Sequence, residues 1–539
     1  MKKILILLLL VASLFFVTGC NPPEEVPVLD YAKINNVLDQ ITLLPEEVTL
    51  EDEADVVEVR ALYEELTADE KALITNITKL EGLETTIAAI KLEQQQAEAA
   101  LETAFTDAQT YLMDYLPAQL TDDITLPQTY QSAIGSIGVL WSSSDRMTLS
   151  NGGVVTPGRH DIIVTMTTTL RYENITRSFN QKVLVKALTF DPLPTSRLSF
   201  GYLANRDGFS TLRAGEAEAL DVVNYCFGRV SGGVASLTGL SDYQDVLALR
   251  KQGVRVVLCL GGYEDGAVPF SEASRTAAGR QTLATSIVQA VETYHYDGVD
   301  IDWEYPGYYT GENGGELNQA IDSANYTALM VELRRQLKQA NSDYILSAAV
   351  PGGPWGHQRF EVENLAPVLD FFHLMTYDMD SATVSTHLNP LYSSSNGVAG
   401  CSVHDTVLTY VERGVPRRKL IVGIAFYARK FILQPTATTP MKQTAISRQS
   451  IFQYEVANTF LNRIESGEVI RYFDTVAKAA YLFDTVNKIA VSYEDRETIQ
   501  YKAEYVINQN LGGVMFWEYG EDQTGVLLPA IYDYLVKNR

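Results

Sequence analysis

Eight short apolar segments, each with a strand-like pattern, alternate with helical stretches from residue 195 to the end of the chain. Such alternation is the signature of a parallel α/β fold. Eight units of this size predict a (β/α)8 or TIM barrel, whose chemistry lies at the C-terminal ends of the strands. A doubly wound sheet is the alternative, but no GxGxxG motif follows the first segment. The segments span residues 198–203, 222–227, 255–260, 298–302, 345–350, 371–375, 420–425 and 513–516.

The fourth segment ends in a row of acids. Asp300, Asp302 and Glu304 occupy alternate positions, so in a strand they share one face at a spacing of ~7 Å. Asp297 falls on the other face, and we expect it to be structural. Neighbouring carboxylates cannot all ionise, and at least one pKa must rise. This arrangement suits a proton donor that stays protonated near neutral pH, and Glu304 at the open end of the row is the first candidate.

The formal net charge of the 539-residue chain is −25. It argues against nucleic acid and acidic polymers as partners, because these bind basic surfaces. A neutral substrate fits better, and the 30 tyrosines, 19 phenylalanines and 4 tryptophans suit stacking on sugar rings as well as a large core. The few cysteines imply no disulfide framework, and they and the six histidines lack metal-type spacing. We expect a monomer without metal or cofactor.

The first twenty residues predict a targeting segment. Lys2 and Lys3 precede an uncharged apolar run over 4–17 that is short for a membrane span. The run ends in VTGC at 17–20, which resembles a bacterial lipobox, so that Cys20 would be lipidated. An ordinary cleaved signal peptide or an uncleaved anchor is the alternative. We expect a protein anchored by lipid to the outer face of the bacterial cytoplasmic membrane, or released extracellularly.

Two modules are predicted between this segment and the barrel. Residues 21–116 combine an acidic tether with a helical module, in which Thr67 to Glu70 form a capping box that predicts a helix start. From 117 to 188 the hydrophobic period changes to two. The segments around Trp141 and 153–156 resemble bacterial immunoglobulin-like β-sandwich modules. The barrel would then occupy residues 195–539.

Five motifs carry a resemblance to a known family. Residues 297–306, DGVDIDWEYP, resemble the DxxDxDxE signature of family-18 glycoside hydrolases, the chitinases. LGG at 260–262, MTYD at 375–378, YAR at 427–429 and GGVMFW at 512–517 match in the same order. The unusually long connection between the seventh and eighth strands resembles the small α+β insertion domain of one chitinase subfamily, at about 431–490.

The resemblance implies a retaining, substrate-assisted reaction in which the substrate's own acetamido oxygen is the nucleophile. Glu304 would protonate the glycosidic oxygen. Asp302 would share a proton with Asp300 at rest and then turn toward the acetamido group, whose oxygen Tyr377 would hydrogen-bond. Trp517 would form the floor of the sugar site. Other residues resemble those that bind the substrate: Tyr202, Phe227, Tyr263, Met375, Asp378, Tyr427, Arg429 and Met515.

The chain departs from the family pattern at Cys259, where serine is usual, and at Tyr263, where many members have tryptophan. Trp355 could face a sugar further along the cleft or pack under its own turn. The predicted function is a chitinase that degrades chitin or chitooligosaccharides. One alternative is an endo-β-N-acetylglucosaminidase acting on glycoprotein glycans, which the insertion domain disfavours. A non-catalytic chitin-binding lectin is the other, and the presence of Glu304 disfavours it.

Overall fold

The computed structural model describes residues 28–204, 212–240, 243–263, 267–308, 319–537 and 539. The predicted signal peptide and Cys20 lie outside these residues. The chain divides into two compact units: one contains residues up to 112 with 129–138 and 170–177, and the other contains 113–128, 139–169 and 178–539. None of the helices in the described part of the chain is both long and apolar enough to cross a bilayer.

In the described part of the chain, four α-helices precede the first strand. They are α1 (Tyr31–Leu43), α2 (Glu53–Glu64), α3 (Ala68–Lys71) and α4 (Ile77–Tyr115). The predicted capping box begins α3, because Thr67 and Glu70 exchange hydrogen bonds with each other's backbone N–H groups. Apolar residues at helical spacing form the buried core of this region, among them Ile34, Val37 and Ile41 of α1 and Leu80, Leu83 and Ile87 of α4.

A five-stranded sheet follows, in the order β1-β5-β4-β3-β2. Its strands are β1 (Gln119–Leu120), β2 (Thr129–Ser132), β3 (Gly135–Ser143), β4 (Ile162–Tyr172) and β5 (Ile175–Val185). Alternate residues of β4 are buried, as expected for a sheet with one covered face. Trp141 is buried, and its indole Nε1 donates to the Pro127 carbonyl at 2.7 Å. The immunoglobulin-like assignment and the domain boundaries stay predictions.

The predicted barrel is confirmed: eight parallel strands pair in a closed ring, β6-β7-β9-β10-β11-β12-β13-β19 and back to β6. Together with the short hairpin strand β8, they are β6 (Leu198–Ala204), β7 (Val222–Ser231), β8 (Val234–Ser236), β9 (Arg255–Gly261), β10 (Gly298–Asp302), β11 (Ile345–Pro351), β12 (Phe371–Met375), β13 (Leu420–Ala425) and β19 (Gly513–Trp517). Barrel strands such as β10 and β11 are buried at every position, which explains their continuous apolar pattern.

Helices separate the barrel strands. They are α5 (Tyr243–Leu247), α6 (Ala267–Ser274), α7 (Ala277–Thr293), α8 (Gln319–Ala340), α9 (Val362–Leu365), α10 (Val403–Glu412), α12 (Arg496–Asn508) and, after β19, α13 (Leu527–Ile531), while α11 (Gln453–Glu455) belongs to the insertion between β13 and β19. Their apolar faces pack against the outside of the strands, as in the contacts of Ile287 and Leu333 with the main core. The interior of the barrel is filled by a second cluster that includes Phe200, Cys259 and Met515.

The long connection between β13 and β19 is where the insertion domain is predicted, and its assignment to that domain stays a prediction. It forms an antiparallel sheet in the order β15-β14-β18-β17-β16. The strands are β14 (Tyr427–Leu433), β15 (Ala445–Phe452), β16 (Val469–Asp474), β17 (Ala479–Asp484) and β18 (Ile489–Tyr493). The sheet therefore begins and ends a few residues outside the predicted range of 431–490. Its first strand starts two residues after β13, which places the insertion at the C-terminal rim of the barrel.

Candidate active site

A cavity of about 1060 Å³ opens at the C-terminal ends of the barrel strands. Glu304 lines it two residues beyond the end of β10, and it is partly exposed. Strand geometry explains the arrangement, because alternate residues of β10 point into the barrel and the row of acids rises toward the mouth. Most of the predicted site residues line this cavity: Tyr202, Phe227, Tyr263, Asp302, Glu304, Met375, Tyr377, Asp378, Tyr427 and Trp517.

Three predicted residues lie below this lining. Asp300 is fully buried beneath Asp302. Met515 is also fully buried, and its sulfur accepts a hydrogen bond from the Tyr377 hydroxyl at 3.9 Å. Arg429 is 5 % exposed and is held by the carboxylates of Asp378 and Asp380. These side chains support the residues that face the cavity.

Asp300 is surrounded by hydrogen-bond donors from neighbouring strands. Its carboxylate accepts from the Tyr202 hydroxyl at 2.8 Å, from the Ser347 hydroxyl at 2.6 Å and from the Cys259 thiol at 3.3 Å. His373 Nδ1 lies 3.4 Å from the carboxylate. Burial by itself raises the pKa of Asp300, but His373, Ser347 and Tyr202 lower it more, so the group is held as a carboxylate.

Asp302 and Glu304, in contrast to Asp300, have raised pKa values. Burial raises the pKa of Asp302 well above its ordinary value, and the charges of Glu304 and Asp300 raise it further. Burial raises the pKa of Glu304 to about 7, and Asp378 adds to the effect. The two side chains also hydrogen-bond to each other. The raised pKa values of both groups favour a proton held between Asp302 and Glu304. The sharing of a proton between Asp302 and Asp300 at rest stays a prediction.

Aromatic rings form the floor of the cavity. Trp517, the last residue of β19, stacks on Phe227 with ring centroids 5.5 Å apart and an angle of 25° between the planes. Tyr202 packs against the same indole at 5.7 Å. A flat apolar surface beside a carboxylic acid suits a sugar ring, whose C–H faces are apolar and whose hydroxyl groups are polar.

One part of the cavity wall is built by the first strands of the insertion sheet. The Tyr427 hydroxyl donates to Asp378 Oδ1 at 2.6 Å, and Arg429 also donates to that carboxylate. Asp380 is buried between Arg429 and Arg448, with Arg448 Nη2 at 3.0 Å. Charge-assisted hydrogen bonds of this kind fix the position of Asp378 at the cavity edge.

A model of the family described as "Glycosyl hydrolases family 18" matches residues 199–522, more than half of the chain. The chain belongs to this family. Among curated relatives, chitinase A1 of Niallia circulans is 31% identical over 310 residues, which cover 54% of this chain and 44% of the relative. Chitotriosidase-1 of Mus musculus is 30% identical over 291 residues, which cover 51% of this chain and 60% of the relative. The chain thus spans about half the length of these relatives.

Solved structures of family-18 enzymes share the fold. An N-acetylglucosaminidase from Paenibacillus barengoltzii is 34% identical, with a TM-score of 0.58 over 63% of this chain and 100% of that structure. Catalytic domain 2 of the Ostrinia furnacalis Group II chitinase is 26% identical, with a TM-score of 0.56 over 64% of this chain and 97% of that domain. A mutant of that domain, 25% identical to this chain, was solved in complex with a chitooligosaccharide described as (NAG)5. The chain is a chitinase-like glycoside hydrolase.

Several cavity residues of this family-18 site were not predicted from the sequence. Arg229, Tyr305, Tyr308, Arg359, Phe452 and Glu455 also line the cavity. Trp355 combines both proposed roles: it is half exposed to the cavity, and it packs over Gly353 and against Tyr305. Most of these side chains follow strands within loops or lie in the insertion, where no periodic pattern indicates direction. The aromatic residues that follow Glu304, Tyr305 and Tyr308, were the one signal in the sequence that pointed to further cavity residues.

The site is suited to acid catalysis. Within the described ranges, His, Cys, Asp and Glu side chains form no group of three or more that could hold a metal ion. The site combines two cavity acids with raised pKa values, Asp302 and Glu304, with a buried Asp300 whose pKa is lowered and with an aromatic floor. A carboxylic acid with a pKa near 7 can donate a proton to a leaving group at neutral pH.

Proposed function

We propose that the chain is a chitinase that hydrolyses β-1,4 bonds between N-acetylglucosamine units of chitin or chitooligosaccharides. The observation that carries this proposal is the position of Glu304, a carboxyl group with a pKa of about 7, in a cavity floored by Trp517. The chitinase relatives and the (NAG)5 complex of the Ostrinia domain support the choice of substrate class. A wide cavity bounded by the insertion sheet suits a polymer of several sugars.

The proposed reaction divides the work among three acids. Glu304 gives its proton to the glycosidic oxygen while the substrate's acetamido oxygen attacks the anomeric carbon, and the bond to the leaving sugar breaks. Asp302 orients the acetamido N–H, and the Tyr377 hydroxyl binds the acetamido oxygen. Asp300 stays ionised below them and opposes a second negative charge on Asp302. Water then opens the cyclic intermediate with overall retention, and Glu304 recovers the proton.

Release of single N-acetylglucosamine units from chain ends is a second candidate. The Paenibacillus barengoltzii structure favours it, because that protein is named an N-acetylglucosaminidase and its whole length is matched by this chain at 34% identity. The two candidates use the same acid and the same aromatic floor. They differ in how many sugars bind on each side of the scissile bond, and product lengths distinguish them.

Product analysis on chitooligosaccharides of two to six sugars tests both candidates. Wild type is expected to cleave them, and Glu304→Gln is expected to lose about 10²- to 10⁴-fold in kcat, because an amide cannot donate the proton. Glu332→Gln is the matched control, since Glu332 lies on α8 in a surface pair with Arg335. Wild type that leaves every oligomer intact but releases glycans from a glycoprotein would exclude both candidates, and full activity of Glu304→Gln would exclude the mechanism.

We also propose that the protein is held at the cell surface by lipid on Cys20, which lies outside the described residues. The VTGC sequence at 17–20 supports this. Replacement of Cys20 by serine is expected to prevent lipid labelling and to move the protein from the membrane fraction to the medium. Equal membrane association of wild type and Cys20→Ser would contradict the proposal.

A further inference from the structure

A cation lies on the cavity wall beside the two acids that share a proton. Arg229 lines the same cavity as Asp302 and Glu304. It follows the point on β7 where the register with β9 shifts, between Tyr225 and Gly228. Such an irregularity redirects the side chains beyond it. The guanidinium lies over the Phe227 ring, 5.3 Å from its centroid, and Nη1 donates to the carbonyl of Gly261.

The contact with Gly261 brings this charge close to Asp302. Gly261 is the residue of β9 that pairs with Asp302 of β10 in the parallel register. The carbonyl of Asp302 also accepts from Gly262 N–H at 2.9 Å. A guanidinium anchored to this segment, and flanked by the floor ring Phe227, therefore stays on the side of the cavity where Asp302 lies.

Among the described residues, the other groups that most affect Asp302 and Glu304 carry negative or no charge, and Arg359, a second cation in the cavity lining, lies over the Tyr308 ring, 5.0 Å from its centroid. The negative and uncharged groups include Asp300 on β10, Tyr305 after it, Tyr202 on β6, Cys259 on β9, and Tyr377 and Asp378 after β12. His373 of β12 faces Asp300, and Arg429 of β14 is bound by Asp378 and Asp380. Among the groups that dominate the pKa of Asp302 in the described structure, Arg229 is the one that lowers it.

We propose that Arg229 is a positioning residue for the catalytic proton: its charge favours the ionised form of Asp302 and thereby keeps the shared proton on Glu304. The reason is electrostatic. Two coupled carboxyl groups that hold one proton divide it according to the local potential at each, and a nearby cation stabilises the anion closer to it. The inference rests on the proposed role of Glu304 as donor, and it adds what directs the proton to that residue.

The pH dependence of kcat on a chitooligosaccharide tests this role. Arg229→Gln removes the charge but keeps an amide donor for the Gly261 carbonyl, and Arg229→Lys keeps the charge. In Arg229→Gln, both limbs of the kcat profile are expected to move to higher pH by about 1 pH unit, because the anions lose a stabilising charge. The maximal kcat is expected to fall about tenfold, since more of the proton then resides on Asp302. The limbs of Arg229→Lys are expected to coincide with those of wild type.

A purely structural role would give a different result. If Arg229→Gln and Arg229→Lys lose kcat to a similar extent while the limbs of both profiles stay at the wild-type pH, the inference is overturned. Should Arg229→Gln fail to fold, Arg229→Met keeps the packing on Phe227 without the charge, and the same shift is expected. If wild type is inactive on chitooligosaccharides, the proposed function fails. If wild type is active, Glu304→Gln is inactive and the limbs of the neutral variants do not move, only the role of Arg229 fails.

Discussion

At the scale of single residues, activity depends on whether Glu304 holds a proton. Burial raises the pKa of Glu304 to about 7, so the residue is protonated below that pH and becomes an anion above it. An anion cannot donate, and kcat is therefore expected to fall as the pH rises through 7, by about tenfold for each further pH unit. Initial rates between pH 4 and pH 9 measure this. A kcat that is constant or rising between pH 7 and pH 9 would contradict the assignment of Glu304.

Cys259 offers a second test at this scale. Its thiol donates to Asp300 at 3.3 Å, where the family usually has serine. A serine hydroxyl in its place is expected to donate to Asp300 over a shorter distance, and kcat is expected to stay within about threefold of wild type. Alanine removes one of several donors to a buried carboxylate, and kcat/KM is expected to fall about three- to tenfold, as for a lost hydrogen bond of about 1 kcal/mol.

Cys401→Ala is the control for this pair, because Cys401 is buried outside the cavity. Wild-type kinetics are expected for it. If Cys259→Ala also has wild-type kinetics, the thiol contact with Asp300 has no part in catalysis, and Tyr202 and Ser347 suffice to hold the carboxylate.

The sequence predicts residues of the site well where they are close in the chain. Asp300, Asp302 and Glu304 were found from alternate spacing alone, because strand geometry is local. Ser347, His373 and Arg229 could not be found in this way, since their contacts with the acids arise only when the barrel closes. The balance of charges around Asp302 and Glu304 could not be predicted either, because it depends on side chains from several barrel strands.

At the scale of elements, the approach of β9 to β10 requires glycine. Gly261 has a positive φ of 125°, and a Cβ atom there would lie 2.0 Å from the Asp302 carbonyl oxygen. Gly261→Ala is therefore expected to displace Asp302, with a stability loss above about 2 kcal/mol and a large loss of kcat. Thermal unfolding and kcat measure the two effects.

Gly253→Ala is the matched control, because Gly253 has a φ of 89° but nothing within 4 Å of the added Cβ. Alanine at position 253 introduces backbone strain without a steric clash, and this strain costs about 1–2 kcal/mol. A similar loss of stability in both variants, with wild-type kcat for Gly261→Ala, would show that the close approach to Asp302 is unimportant.

The positions of the strands were predictable because parallel strands buried on both faces have continuous apolar runs. The ends of the strands were harder to predict. β7 continues to Ser231, past the predicted end at 227, because its last residues pair with β8 in a hairpin. The insertion sheet begins at Tyr427, before the predicted start at 431, because the pairing of β14 with β15 and β18 depends on distant residues.

At the scale of the whole molecule, the segment before β4 is tied to the base of the barrel, and both belong to the same compact unit. Asp297, at the end of β10 opposite Glu304, is fully buried. Its carboxylate accepts from Arg159 Nε at 2.8 Å and from Arg250 Nε at 3.0 Å. Arg159 comes from the segment before β4, and Arg250 also donates to the carbonyl of Pro157. The expected structural role of Asp297 thus includes a connection between two regions of the chain.

This connection is expected to affect stability and leave catalysis intact. Arg159→Met removes one of two cations from a buried carboxylate, and we expect the barrel to lose about 2–4 kcal/mol of stability. This loss is smaller than that of a buried charge left without any partner.

The control is Lys251→Met, which breaks the largely exposed Lys251–Asp123 pair and is expected to cost at most about 1 kcal/mol. Calorimetric unfolding measures both, and kcat at 25 °C should stay within about twofold of wild type because Asp297 and Glu304 lie at opposite ends of β10. Equal unfolding temperatures for the two variants would mean that Arg250 alone neutralises Asp297 and that the segment before β4 does not stabilise the barrel through this contact.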